Sequence, residues 1–226
     1  MIVWIASFPR LGNSLLRQLL WQVFGQNTFS RNNDKNNIGR NRDVAEIIGH
    51  LNYESSWAEF YAKTHRSNEP VFFIKTHEPP CDYSKAIYIV RDGRAAIVSY
   101  YHLLCDNRGR IDTNIAMAIR GEAPFSSWTS HLEDWQPLAR ANCLLLRFED
   151  MIEKTEECIK KIASFTGLTP KREWANPLAK LRNVMPNYFR RGSNQDNIKE
   201  LNEINESLFW EQHEAWMVKL GYKKHD

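Results

Sequence analysis

Cysteine is scarce and scattered in this chain. Cys81, Cys105, Cys143 and Cys158 are its four thiols, and no two of them form a C-x-x-C pair. That spacing excludes a disulfide framework and a zinc ribbon, so the thiols are read as reduced, with Cys143 and Cys158 in apolar, core-type patterns. Long apolar runs are missing too: nothing approaches the ~20 consecutive residues of a membrane-spanning helix. Residues 1–6 are apolar, but no basic segment precedes them and no small-residue cleavage site follows, so they are not read as a secretory leader. The expectation is a soluble, cytoplasmic protein with no membrane span. Charge of one sign is not in excess, since 30 Lys and Arg stand against 27 Asp and Glu for a net of +3. That balance argues for no nucleic-acid partner, yet it suits a local basic pocket around an anionic ligand. No internal repeat is visible, nor any ligand set for a metal, so no metal is expected. The phosphate-binding signature G-x-x-x-x-G-K-[ST] is also absent, because Asn13 and not Lys follows Gly12.

What is present suits one α/β domain over residues 1–226, with 42% hydrophobic and 25% charged residues supplying a core and a solvated surface. The first 24 residues organise it. Ile2–Ala6 is an apolar run rich in β-formers, and Ser7–Ser14 is a polar turn holding Pro9 and Gly12. Leu15, Leu16, Leu19, Leu20, Val23 and Phe24 then fall on one helical face. Strand, tight loop and helix in that order point loop N–H groups and the positive end of the helix dipole at one spot, which suits a phosphate. Gly12 allows close backbone approach, Asn13 and Ser14 add donors, and Arg10 adds charge. The same pattern also fits an ordinary buried strand–helix unit with a polar turn.

Further along, residues 26–43 are crowded with Asn, Arg and Asp and are read as a surface loop. Residues 44–65 give short helical patterns, with Val44, Ile47, Ile48 and Leu51 on one face and Trp57, Phe60 and Tyr61 on another. Val71–Ile74 is a second strand running into Lys75-Thr76-His77-Glu78-Pro79-Pro80, where the prolines end regular structure. Lys75 and His77 thus stand at a strand's carboxyl end, the edge where open α/β sheets bind ligands. Ala86–Val90 is a third strand, followed by Arg91 at a turn and a helix over 95–103 that holds Ser99. Residues 105–126 read as irregular, 127–140 as a helix capped by Ser126-Ser127 and 143–148 as a fourth strand; Glu149-Asp150-Met151 follows it, and then a helix to about Phe165, closed by Gly167. Residues 170–198 show little pattern, and 200–220 form an amphipathic helix with Leu201, Ile204, Leu208, Trp216 and Met217 facing in. Strands alternating with helices predict a mostly parallel central sheet flanked by helices.

Four stretches in this order resemble one family, the sulfotransferases that use PAPS (3′-phosphoadenosine 5′-phosphosulfate). Phe8-Pro9-Arg10-Leu11-Gly12-Asn13-Ser14 is similar to the family's 5′-phosphosulfate loop, Y/F-P-K-S-G-T-T. Lys75-Thr76-His77-Glu78-Pro79 resembles its K-x-H-x-P stretch. Arg91 and Ser99, eight apart, resemble the 3′-phosphate motif, and Phe189-Arg190-Arg191-Gly192 the late F/M-R-K-G motif. Ser127-Trp128, His131 and Trp135 match S-W-x-x-H-x-x-x-W, and Phe148-Glu149-Asp150-Met151 matches Y-E-D-M. Arg10 stands where the family has Lys, Leu15 where many members stack a Trp on adenine, and Phe148 where they have Tyr.

The resemblance implies a P-loop-kinase-like sulfotransferase fold and transfer of SO3 from PAPS to a hydroxyl or amine of a small-molecule acceptor, releasing PAP (3′,5′-diphosphoadenosine) without a metal. It implies His77 as general base, with Lys75 and Arg10 stabilising charge on the sulfonate and the leaving phosphate. It places Arg10, Leu11, Gly12, Asn13, Ser14 and Leu15 at the 5′ end of the nucleotide and Phe148 beside it. Arg91, Ser99, Arg190, Arg191 and Gly192 would then hold the 3′-phosphate. Phe8, Trp57, Tyr61, His77 and Trp128 would line the acceptor site. Two rivals remain: a P-loop nucleotide or small-molecule kinase, which would need the missing G-K-[ST], and a catalytically inactive PAPS-binding protein of the same fold.

Overall fold

The computed structural model describes residues 1–34, 38–66, 71–108, 114–186, 189 and 193–224. Its centre is β1 (Ile2–Ala6), buried on every residue. Such a strand, apolar on both faces, belongs in the middle of a parallel sheet covered on both sides. α1 (Asn13–Phe24) follows and ends at Gly25, whose left-handed backbone lets its N–H reach Leu20 and Trp21 carbonyls. Next come β2 (Thr28–Ser30), a 3-10 turn at Ile38–Arg40, α2 (Arg42–Ile48), α3 (Trp57–Arg66), β3 (Phe72–Thr76) and β4 (Lys85–Val90). The rest of the order is α4 (Gly93–Arg108), α5 (Ile115–Arg120), α6 (Trp128–Trp135), β5 (Cys143–Arg147), α7 (Phe148–Glu153), α8 (Thr155–Thr166), α9 (Leu178–Val184), α10 (Asn194–Ile198) and α11 (Glu203–Lys219).

The five strands form one sheet in the order β2-β3-β1-β4-β5, every pair parallel. β1 lies between β3 and β4, so the chain leaves it in one direction and later returns on its other side. That reversal opens a crevice at the carboxyl ends of the strands. Register brings the ends level: Ala6 pairs with Thr76 and Tyr88, Ser30 with Lys75, and Val90 with Arg147. Leu16, Leu19, Leu20, Val23 and Phe24 of α1 join the strand residues in the main core. A small second core joins Ile38, Val44 and Ile48 to Leu181 and Phe189, tying the late segment to α2. Among the described residues no helix is long and apolar enough to cross a membrane.

Several segments differ from the sequence reading. Residues 26–43 are not simply a surface loop: they carry edge strand β2 and the buried polar residues Thr28, Ser30, Asn33 and Asp34. Their polar groups bond inward, to Arg17, Gly49, Tyr53 and Lys75 as well as Ser30 to Asp34, which composition alone cannot distinguish from solvation. The 105–126 stretch contains α5, started by the Asn114 side chain accepting the Met117 N–H. The helix read to 140 stops at Trp135, before Pro137, and Leu138 is exposed. Glu149-Asp150-Met151 already lies in a helix, α7, and the helix that runs on to Thr166 starts anew after Lys154. Residues 170–198 hold the short α9 and α10. In α11 the inward face is Phe209, Trp210, His213, Trp216 and Met217, while Ile204 is 79% exposed. Cys158 is buried, but Cys143 only partly so.

Candidate active site

The loop after β1 is shaped by two left-handed residues, Arg10 at φ 69° and Gly12 at φ 109°. Gly12 also has no room for a side chain, because a Cβ there would lie 2.6 Å from Phe148 Cδ2 and 3.3 Å from Met151 Cε. The loop therefore leans directly on the start of α7. No side chain caps α1 and no acidic residue stands in its first turn. A helix start of that kind has its first N–H groups without intrahelical partners, and its dipole favours an anion. Asn13 donates to Ser7 Oγ at 2.6 Å, and its own Oδ1 is buried without a partner. Leu11 is buried, and Ser14 and Leu15 are half-buried at the mouth of the loop.

On one side the loop meets Arg91, at the end of β4. Arg91 Nη1 donates to the Arg10 carbonyl at 3.2 Å, Nε donates to Asn194 Oδ1 at 2.6 Å, and the guanidinium lies 4.5 Å from the Phe148 ring centre. Its Nη2 is buried with no partner among the described residues. Burial, with Arg10 adding repulsion, lowers the Arg91 pKa to about 10, so it stays charged at neutral pH. Asn194 is itself oriented, since its amide donates to Glu149 Oε1 at 2.6 Å. Glu149 also accepts from the Asp92 N–H and the Tyr222 hydroxyl. Arg10 Nε donates to Ser99 Oγ on α4 at 3.1 Å, which brings Ser99 into the same corner.

On its other side the loop meets His77. Ser7 carbonyl accepts from His77 Nδ1 at 2.7 Å. A carbonyl accepts only, so Nδ1 carries the proton and Nε2 keeps its lone pair. Burial, then the charge of Lys75, pushes the His77 pKa well below its ordinary value, so the imidazole is neutral at pH 7. Phe125 stands edge-on 5.5 Å away, and the Trp135 indole N–H holds the Glu78 carbonyl at 3.0 Å, fixing the chain just after His77. Lys75 Nζ lies 3.1 Å from Asp34 Oδ1.

The expected acceptor residues are placed unevenly. Phe8 has no exposed surface and packs edge-on against Tyr100 and His131. Trp128 is fully buried against Phe209 and His213. Both are core residues in this structure: Phe8 packs under α4 and α6, and Trp128 packs between α6 and α11. Trp57 is half-buried among Trp4, Tyr53 and Tyr61, with the Arg31 guanidinium 5.7 Å from its ring. Arg31 also pairs with Glu78 at 2.9 Å, next to His77. The Tyr61 hydroxyl donates to Asp82 at 2.5 Å. Tyr188, Arg190, Arg191 and Gly192 lie outside the described residues; their neighbours Phe189 and Asn194 are anchored as above. Asp34, Glu149 and Asn194 were not read as site residues. Glu149 lay in a quoted motif, but Asp34 and Asn194 sat in polar stretches without any helical or strand period.

Among the described residues no three His, Cys, Asp or Glu side chains converge as metal ligands. A family model described as a sulfotransferase domain matches residues 2–219. Mouse Sulfotransferase 4A1 is 26% identical over 181 residues, covering 74% of this chain and 60% of that protein. Mouse Sulfotransferase 1A1 is 33% identical over 179 residues, covering 73% of this chain and 59% of that protein. The chain thus spans about 60% of the length of these curated relatives. Mouse sulfotransferase SULT7A1, solved in complex with PAP, has a TM-score of 0.65 at 19% identity, over 96% of this chain and 84% of that one. A retinol dehydratase solved with androsterone and inactive cofactor PAP has a TM-score of 0.65 at 16% identity, over 100% of this chain and 82% of that one. These two show a common fold, a parallel sheet flanked by helices of the P-loop-kinase-like type. With the family model matched across nearly its whole length, the chain belongs to the sulfotransferase domain family.

Proposed function

We propose that this chain moves a sulfuryl group from PAPS to a hydroxyl or amine of a small-molecule acceptor, in line, with His77 as general base. The carrying observation is that a single loop, Ser7–Gly12, is bonded to His77 at one end and to Arg91 and Ser99 at the other. A donor with its 5′-phosphosulfate in that loop would reach the base with one end and an unsatisfied Arg91 N–H with the other. When bound, PAPS supplies the activated sulfuryl group. The chain's residues do the rest. The α1 N-terminus and Gly12 receive the 5′-phosphate. Arg91 Nη2, with Ser99, receives the 3′-phosphate that distinguishes PAP from ADP. Lys75 and Arg10 meet the charge that grows on the leaving oxygen, which is where fixed cations lower a barrier most. His77 Nε2 takes the acceptor's proton. Two relatives by fold were solved with PAP, and one also with androsterone; both fit this reading. Four free thiols fit a reducing, cytoplasmic setting.

The test is calorimetric titration with PAP, ADP and AMP in metal-free buffer. PAP binding at least tenfold tighter than ADP is the expected result, followed by an acceptor screen with PAPS. Equal affinities would remove the 3′-phosphate site and leave only a shared fold.

A further inference from the structure

The carboxylate of Asp34 is engaged on both of its oxygens. It is buried and lies in the turn after β2, directly beneath the end of β3. Its Oδ1 accepts from Lys75 Nζ at 3.1 Å and from Ser30 Oγ at 3.0 Å. Its Oδ2 accepts from Arg17 Nη1 at 2.9 Å. Arg17 is buried as well, and donates its Nε to Thr28 Oγ1 at 2.8 Å and an Nη2 hydrogen to His50 Nδ1 at 2.5 Å. A carboxylate present only to neutralise Arg17 would offer it both oxygens as a fork. This one divides them between a buried arginine and the lysine beside His77.

The backbone is bent to achieve this. Asn33 and Asp34 are successive left-handed residues, at φ 56° and 45°, and neither is Gly. Asn and Asp tolerate this region better than other side chains, but two in succession are unusual outside glycine. The turn is held by Asn33, whose side chain bonds both the N–H and the carbonyl of Tyr53. Gly39 closes it by donating to the Asp34 carbonyl, and a Cβ on Gly39 would lie 2.8 Å from the Asn33 oxygen. Strain, burial and a dedicated closing glycine all serve the placement of a single carboxylate.

We propose that Asp34 is a positioning residue for catalysis: it tethers the Lys75 ammonium at the end of β3 so that its remaining N–H donors face the reacting sulfonate. The inference rests on the function proposed above. Lysine has four side-chain torsions and three donors; one bond to Asp34 fixes the head, and two hydrogens stay free. Arg17 completes the arrangement by keeping the acid ionised. Burial by itself would raise the Asp34 pKa, but Lys75 and Arg17 outweigh it and hold the group well below the usual carboxylate range. Because charge on the leaving oxygen appears in the transition state, a loose Lys75 reduces the rate of transfer and leaves nucleotide binding nearly intact.

The test uses the full chain and needs no acceptor: single-turnover release of PAP from PAPS with water as acceptor, beside PAP affinity. Asp34→Asn is expected to slow release 10- to 100-fold while PAP affinity stays within twofold. In a Lys75→Met background the same change should cost less than threefold, since the tether then has nothing to hold. Asp34→Asn leaves Arg17 buried and unpaired, so Asp34→Asn with Arg17→Met is the companion variant, folded by circular dichroism and melting, with the same kinetic loss. The inference is overturned by wild-type release from PAPS in either folded variant, by an equal loss in the Lys75→Met background, or by a wild type that binds PAP selectively yet releases it no faster than buffer. A wild type with no PAP preference instead removes the proposed function, and this inference falls with it.

Discussion

The two ends of the Ser7–Gly12 loop use positive charge in opposite ways. At the Arg91 end, Asn194 and the Arg10 carbonyl take two of the guanidinium's donors and leave Nη2 buried with no partner among the described residues. At the Lys75 end the cation already has its anion, Asp34, within 3.1 Å. An unsatisfied buried donor is costly until a ligand arrives, so it converts into affinity. A cation tethered beforehand gains little on ground-state binding but is in place when charge develops. On the function proposed here, one end would hold the nucleotide and the other would serve the transfer step.

The sharpest way to break that division is at the base. His77→Ala should lower turnover with PAPS by about 100- to 10,000-fold, the range for loss of a general base. PAP affinity, by titration, should stay within a few-fold. A matching fall in PAP affinity would show that the catalytic end also holds the nucleotide. Acid should reach the catalytic end next. Burial pushes His131 down to about 3, and His50 and His77 are lowered as well. His213, in the packing of α11, is lowered to about 4. A histidine depressed in the folded state is neutral there and protonated when unfolded below about pH 6.5. Its contribution is present above that pH and is lost as pH falls toward the folded value. Each costs up to about 1.4 kcal/mol per pH unit. Urea unfolding between pH 6.5 and 4.5 should show stability falling by several kcal/mol, and His131→Phe should flatten the slope by about one proton. A flat profile would mean that these rings are not held neutral.

Arg91→Ala isolates the other end. Losing a buried charge-assisted contact costs about 1.5–3 kcal/mol. PAP should bind roughly 10- to 100-fold more weakly, with AMP hardly affected, as read by the same titration. Equal loss for both would place Arg91 away from the 3′-phosphate.

How far the sequence reached follows from which signals are periodic. β1 and its helix were legible because Ile2–Ala6 is an unbroken apolar run and the leucines of α1 repeat at helical spacing. Lys75, His77 and Arg91 were legible because each follows such a run, at the edge where parallel strands end. Asp34, buried, and Asn194, half-buried, were not, because a polar residue turned inward looks the same in sequence as a solvated one; only partners 41 and 103 positions away distinguish them. Phe8 and Trp128 are the converse case: both rings are buried in the core, and aromatic character alone does not reveal whether a ring faces a cleft or a core.

Asn194 gives the smallest and most discriminating effect. It touches Arg91 through Oδ1 and Glu149 through its amide, so it fixes the rotamer of the arginine without facing the ligand's charge. Asn194→Ala leaves the Arg91 charge in place and frees its Nε to compete for the same anion. The loss in PAP affinity should therefore be modest, about three- to tenfold, corresponding to ~1 kcal/mol for one hydrogen bond. Asn194→Asp separates orientation from charge. The acid would still accept from Arg91, but it would oppose Glu149 and neutralise the arginine, so PAP should bind more weakly than in the alanine variant. If the aspartate variant instead binds PAP as well as wild type does, the spare donor at Arg91 is not what recognises the nucleotide, and the contrast between the two ends disappears.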